Sequence, residues 1–73
     1  MITSRQKQVL NIIAKSLDEK GYAPTYKEIA KELEISSPSA AYKHIIALEK
    51  KGYINRDYQL PRTITLTEKF YEI

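Results

Sequence analysis

The sequence predicts a mainly α domain with a small β element: three helices followed by a two-stranded antiparallel ribbon. Three observations carry that expectation. Apolar residues recur at helical spacing in three stretches before Gly52, each opened by a capping signal. Past Gly52 the period changes to alternation among β-branched and aromatic residues, in Tyr53-Ile54-Asn55-Arg56 and in Thr63-Ile64-Thr65-Leu66-Thr67. With 73 residues the chain has room for one core, which every element must share.

Helix 1 opens with Thr3 and Gln6 in capping-box spacing, and Val9, Leu10, Ile13 and Leu17 carry its apolar stripe over about residues 4–19. Gly21 ends it, and Pro24 blocks continuation. A second capping box, Thr25 with Glu28, starts a short helix 2 whose inward positions are Ile29, Ala30 and Leu33. Glu34-Ile35-Ser36 has room only for a tight turn. Ser36 or Ser37 then caps helix 3, with Pro38 tolerated in a first turn where its missing N–H is no loss. Helix 3 is expected to end at Gly52 with a left-handed cap. Ala41, Ile45 and Leu48 share one of its faces; Ser39, Lys43, Ile46 and Lys50 lie roughly opposite.

In the ribbon, Asp57-Tyr58-Gln59-Leu60-Pro61-Arg62 reads as a hairpin tip. Ile54, Ile64 and Leu66 are expected to face the helices, and Arg56, Thr63 and Thr65 to face water. Three helices plus such a ribbon make a winged helix-turn-helix, one domain over residues 1–73. The tail over 67–73 is ambiguous: Phe70, Tyr71 and Ile73 are too apolar for a free end, and pack either on helix 1 or on another chain.

Lys and Arg total 12 against 9 Asp and Glu, a net charge of +3 that favours a polyanionic partner without requiring one. There is no cysteine, so disulfides and thiolate metal sites are excluded. The start, MITSRQKQ, lacks the pattern of a secretion signal, and no apolar run approaches the roughly 20 residues of a membrane span. A soluble, cytoplasmic protein is the expectation. No paired carboxylates, phosphate loop or nucleophile–base pair points to an enzyme, and no cofactor is implied. His44, the one histidine, has no second ligand beside it and reads as a boundary residue satisfied locally. Tyr22, Tyr53 and Tyr71 read as packing at the core edge, and Glu28, Glu32 and Glu49 as caps and solvated positions.

A helix held by its inner face and left polar and basic outside is, in a small basic domain, most often a reader of the DNA major groove. Ser39, Ala40, Tyr42, Lys43 and Ile46 are the candidates for base edges and the groove floor: Ser and Lys hydrogen-bond to bases, and Ala or Ile meets a thymine methyl. Thr25, Tyr26, Lys27, Ser37 and Lys50 are candidates for phosphate, through helix N-termini and added charge. For Thr25 and Ser37, capping alone is the alternative. Arg56 and Arg62 flank the wing, where backbone or minor-groove contact competes with edge solubility. The other function considered is a winged-helix protein-interaction module acting on a repressor or polymerase. It is disfavoured because the outer face of helix 3 carries Lys and Ser instead of aromatic anchors.

From Thr3 to about Leu66 the chain resembles the N-terminal DNA-binding domain of the LexA repressors of the bacterial SOS response. The resemblance rests on T-x-R-Q at the start, G-x-x-P-T before helix 2, E-I-A-x-x-L within it, S-P-x-A-A-x-x-H-I-x-A-L-x-x-K-G through helix 3, and R-x-I-x-L in the second strand. It implies a transcriptional repressor of bacterial or phage origin that binds double-stranded DNA at inverted-repeat operators. Departures fall where bases are read: Ser39 stands where the family usually has Asn, and Tyr42-Lys43 replaces an acidic pair, so a different operator is implied. The tip carries Leu60-Pro61 in place of a glycine. With glycines only at 21 and 52 the sequence holds no Ala-Gly cleavage site, so the resemblance is to the reading head without the self-cleaving, dimerising domain. A free monomer, or a weak homodimer through Phe70, Tyr71 and Ile73, is the corresponding expectation.

Overall fold

A computed structural model of the protein describes residues 2–57 and 63–72. In order it contains α1 (Ser4–Lys20), α2 (Tyr26–Glu32), α3 (Pro38–Lys50), β1 (Ile54–Asn55), β2 (Thr65–Leu66) and a short 3-10 helix over Glu68–Glu72. The strands pair antiparallel, Ile54 opposite Leu66 and Asn55 opposite Thr65. They are shorter than the alternation suggests, because Tyr53 is drawn into the end of α3 and Arg56 turns back toward the helices. Below the tip, Asp57 N–H donates to Thr63 Oγ1 at 2.9 Å and Thr63 Oγ1 donates to Asp57 O at 3.0 Å, closing the neck of the hairpin. The expected tip residues Tyr58 to Arg62 lie outside the described residues.

Both capping boxes form. Thr3 Oγ1 accepts from Gln6 N–H at 3.1 Å while Thr3 N–H donates to Gln6 Oε1 at 3.2 Å. Thr25 and Glu28 make the same reciprocal pair at 3.2 and 2.9 Å. Each box satisfies amides that a helix start otherwise leaves to water. Ser37, one of two candidates, is the cap of α3: its Oγ accepts from Ser39 N–H at 3.1 Å.

Helix ends explain the turns. After α3, Gly52 N–H donates to Glu49 O and Tyr53 N–H to Leu48 O, both at 3.0 Å, the paired bonds of a Schellman cap. Gly52 sits at φ 85°, a conformation that favours glycine; a Cβ would meet only Lys69 Cδ at 3.8 Å. α2 ends in the same way, with Glu34 N–H to Lys31 O at 3.1 Å and Ile35 N–H to Ala30 O at 3.0 Å. Here the left-handed position is held by Glu34 at φ 58°, a non-glycine in the αL region. The helix-turn-helix bend therefore carries local strain, offset by burial of Leu33 and packing of Ile35 on the core.

The core lies where the three helices converge. Val9, Leu10 and Ile13 of α1, Ile29 of α2, and Ala41, Ile45 and Leu48 of α3 are fully buried, with Ile54 and Ile64 closing the wing side. Each Leu or Ile so buried contributes about 1.5–3 kcal/mol. α1 and α3 are also joined by polar contacts: Lys51 Nζ donates to the buried Gln6 Oε1 at 2.8 Å, so the first cap of the chain also receives the end of α3.

The tail clasps that same end. Thr67 Oγ1 donates to Gly52 O at 2.6 Å and Lys69 Nζ to Lys51 O at 2.7 Å, supplying donors to carbonyls the helix leaves open. Lys69 Nζ also stands 5.0 Å from the Tyr53 ring centroid. Phe70 packs on the core, whereas Tyr71 is 74% exposed; Ile73 lies outside the described residues. Of the three tyrosines expected at the core edge, only Tyr53 is buried. Tyr22 is 43% exposed, because it follows the left-handed Gly21 and is carried out of the α1 stripe. Replacing Glu34 by Gly should raise the unfolding free energy by about 0.5–1 kcal/mol in a urea titration, less than the full αL penalty because glycine also loosens the unfolded chain. An unchanged or lowered midpoint would show that the bend is not strained.

Candidate nucleic-acid interface

α3 divides its surface in two. Ala41, Ile45 and Leu48 are wholly buried, and the side away from them exposes Ser39, Lys43 and Lys50. Among the described residues none pairs with Lys43, Lys50 or Lys27, so these three charges are not neutralised within the fold. Ile46 and Ala40 are half-buried at the edges of this face. The isoleucine expected in full exposure is thus partly sheltered, since it sits only one helical step from the Tyr42 flank. Lys27 is exposed at the start of α2, and Thr25 and Ser37, both half-buried, cap α2 and α3 with their side-chain oxygens.

Two expectations at this face are corrected. Arg56 does not face water: its side chain is 4% exposed. It turns inward because Nε donates to Glu49 Oε1 at 3.1 Å and Nη1 donates to Tyr26 Oη at 2.7 Å. Its guanidinium carbon also stands 5.2 Å from the centroid of the Tyr42 ring. Glu49, read as solvated, is instead the carboxylate of this pair. Tyr26 and Tyr42 meet edge to face, with ring centroids 5.2 Å apart and planes at 71°. Burial works against the Arg56 charge, and its contacts with Tyr42, Glu49 and Tyr26 outweigh that, so the guanidinium is held more firmly protonated than usual.

The structure thus brings Tyr26, Tyr42 and Arg56 together into one cluster and leaves Ser39, Lys43 and Lys50 open along the helix. Lys27 stands apart on α2, and Arg62 lies outside the described residues. The pairing of Glu49 with Arg56 was not legible, because no periodicity links a residue near the end of α3 to one beyond the first strand. His44 is half-buried on α3, and among the described residues no group of three or more His, Cys, Asp or Glu is placed to hold a metal ion. Nor, among those residues, is any helix long and apolar enough to cross a membrane.

A helix-turn-helix with its second helix open on one side, followed by an antiparallel ribbon, defines the winged helix-turn-helix class. The family model of the LexA DNA binding domain matches residues 1–63. A LexA repressor of Lactiplantibacillus plantarum is 45% identical over 69 residues, covering 94% of this chain and 33% of its own length. That of Petrotoga mobilis is 44% identical over 72 residues, 99% of this chain and 35% of its own. That of Citrifermentans bemidjiense reaches 49% over 65 residues, 89% of this chain and 32% of its own. The chain belongs to the LexA DNA binding domain family. It spans about a third of the length of these curated relatives.

Proposed function

We propose that this domain binds double-stranded DNA sequence-specifically through α3 and serves as the DNA-reading part of a LexA-type transcriptional repressor. The observation that carries the reading is the open outer side of α3, where Ser39, Lys43 and Lys50 stand exposed while the opposite side supplies the core. Ser39 and Lys43 read base edges, Ala40 and Ile46 meet the groove floor, and Tyr42 reads from the flank. Lys27 and Lys50 contact phosphate, as do Thr25 and Ser37 at their helix starts and Arg62 at the wing. Arg56 and Tyr26 are withdrawn from this set because the guanidinium and the phenol oxygen are engaged with each other within the fold. Membership of the LexA family supports a repressor role, with binding alone and no chemistry on the DNA.

Titration of labelled duplex at several salt concentrations tests this. With Lys27, Lys50 and Arg62 on phosphate and Lys43 in the groove, log K falls against log salt with a slope of about −3 to −4. Lys43→Ala costs about 1–3 kcal/mol on the preferred site and relaxes choice at one base position, whereas Lys27→Ala weakens all sequences alike. Binding indifferent to salt, or a Lys43→Ala variant with unchanged preference, contradicts the reading.

One such domain buries only about 600–1,000 Å² on DNA, too little for tight binding at physiological salt. Two copies on inverted half-sites about one helical turn apart meet that shortfall, with exposed Tyr71 beside the Phe70 ring (centroids 5.1 Å apart) as the surface for a weak contact between them. Sedimentation should show a free monomer and two copies per duplex carrying both half-sites. Saturation at one copy, or a stable dimer without DNA, rules this assembly out.

A further inference from the structure

The cluster around Arg56 joins three elements that are separate in sequence. Tyr26 is the first residue of α2, Tyr42 and Glu49 lie two turns apart on α3, and Arg56 directly follows β1. The guanidinium is held on three sides, by a carboxylate oxygen at 3.1 Å, a phenol oxygen at 2.7 Å and the ring of Tyr42 at 5.2 Å. A planar group with donors in a fixed fork imposes orientation as well as charge, which a lysine would not. Tyr42 is different in kind from its partners: 39% of it stays open to solvent at the edge of the α3 outer face. Its ring is engaged with Tyr26 and Arg56, and Ser39, Lys43 and Ile46 are its neighbours in position on the same helix.

We propose that Arg56 is a positioning residue for DNA recognition, fixing the Tyr42 ring against Tyr26 and tying the first wing strand to α2 and α3, without itself touching DNA. The inference rests on α3 being the DNA reader. A side chain that reads a base loses selectivity when it samples several rotamers, and its neighbours set how many it samples. Tyr26 and Glu49 act through Arg56: the first accepts one arm of the guanidinium and the second another. This side chain thereby adds a polar tie between wing and reading helix to the core packing of Ile54, so disturbing it alters what α3 presents while leaving the exposed lysines in place.

Selection of bound sequences from a random duplex pool tests this on the intact chain, on Tyr42→Ala, on Arg56→Met and on Tyr26→Phe, each with a salt titration on its best duplex. Tyr42→Ala identifies the base position that Tyr42 reads. Arg56→Met and Tyr26→Phe should relax that same position about three- to tenfold, with the salt slope unchanged. Wild-type preference retained at that position in Arg56→Met overturns the proposal, as does a slope smaller in magnitude by about one, the mark of a lost phosphate contact. A Tyr42→Ala variant with an unaltered motif overturns it too. Tyr26→Phe removes only the acceptor oxygen and keeps the ring pair, so it decides the matter where Arg56→Met fails to fold. Failure of the underlying reading is distinct: the intact chain would then select no motif.

Discussion

Burial of the Ala41–Ile45–Leu48 stripe of α3 against α1 and α2 is the constraint on which everything else depends. A chain of this size has one core, and α3 meets both other helices and the first strand of the ribbon. Its inner side therefore cannot change without loss of the fold, and its outer side is available for recognition because it contributes nothing to the core. That openness gives the exposed lysines their significance. They are neither paired nor covered among the described residues, so their hydration and their charge remain free for a polyanion.

Holding so short a helix in place requires both of its ends. At the start, Ser37 caps it directly after a strained bend at Glu34. At the end, Gly52 and Tyr53 close its last carbonyls, Lys69 and Thr67 add donors from the tail, and Lys51 reaches back to Gln6. These contacts make the tail part of the support for α3. Phe70 is committed to the protein's own core for the same reason, which leaves Tyr71 as the exposed aromatic of that segment.

Much of this was legible in the residues. Two capping boxes, a proline in a first turn and glycines after two helices are local signals whose physics does not depend on the rest of the chain, and each formed where the spacing placed it. The division of α3 into a core side and an open side followed from period alone. What was not legible depends on long reach. Arg56 was assigned outward for its charge, although strict alternation puts it on the side of the buried Ile54, and only the acceptors Glu49 and Tyr26, distant in sequence, make that inward position tenable. The left-handed Glu34 was hidden for a related reason: nothing in a Glu-Ile-Ser turn reveals which residue absorbs the bend until Ile35 is seen packed on the core. Tyr42 lay between these cases: the sequence put it on the outer part of α3, where it is 39% exposed, but its bracing by Tyr26 and Arg56 was not seen.

The central claim is that the outer side of α3 enters the major groove. Intermolecular NOEs between the labelled domain and a bound duplex measure this most directly. Protons of Ser39, Lys43 and Ile46 should show contacts with base protons of the major groove, while Val9, Ile13 and Leu48 show none. Base contacts confined instead to the cleft between α1 and α2, near Lys15, Lys20 and Lys31, would contradict it.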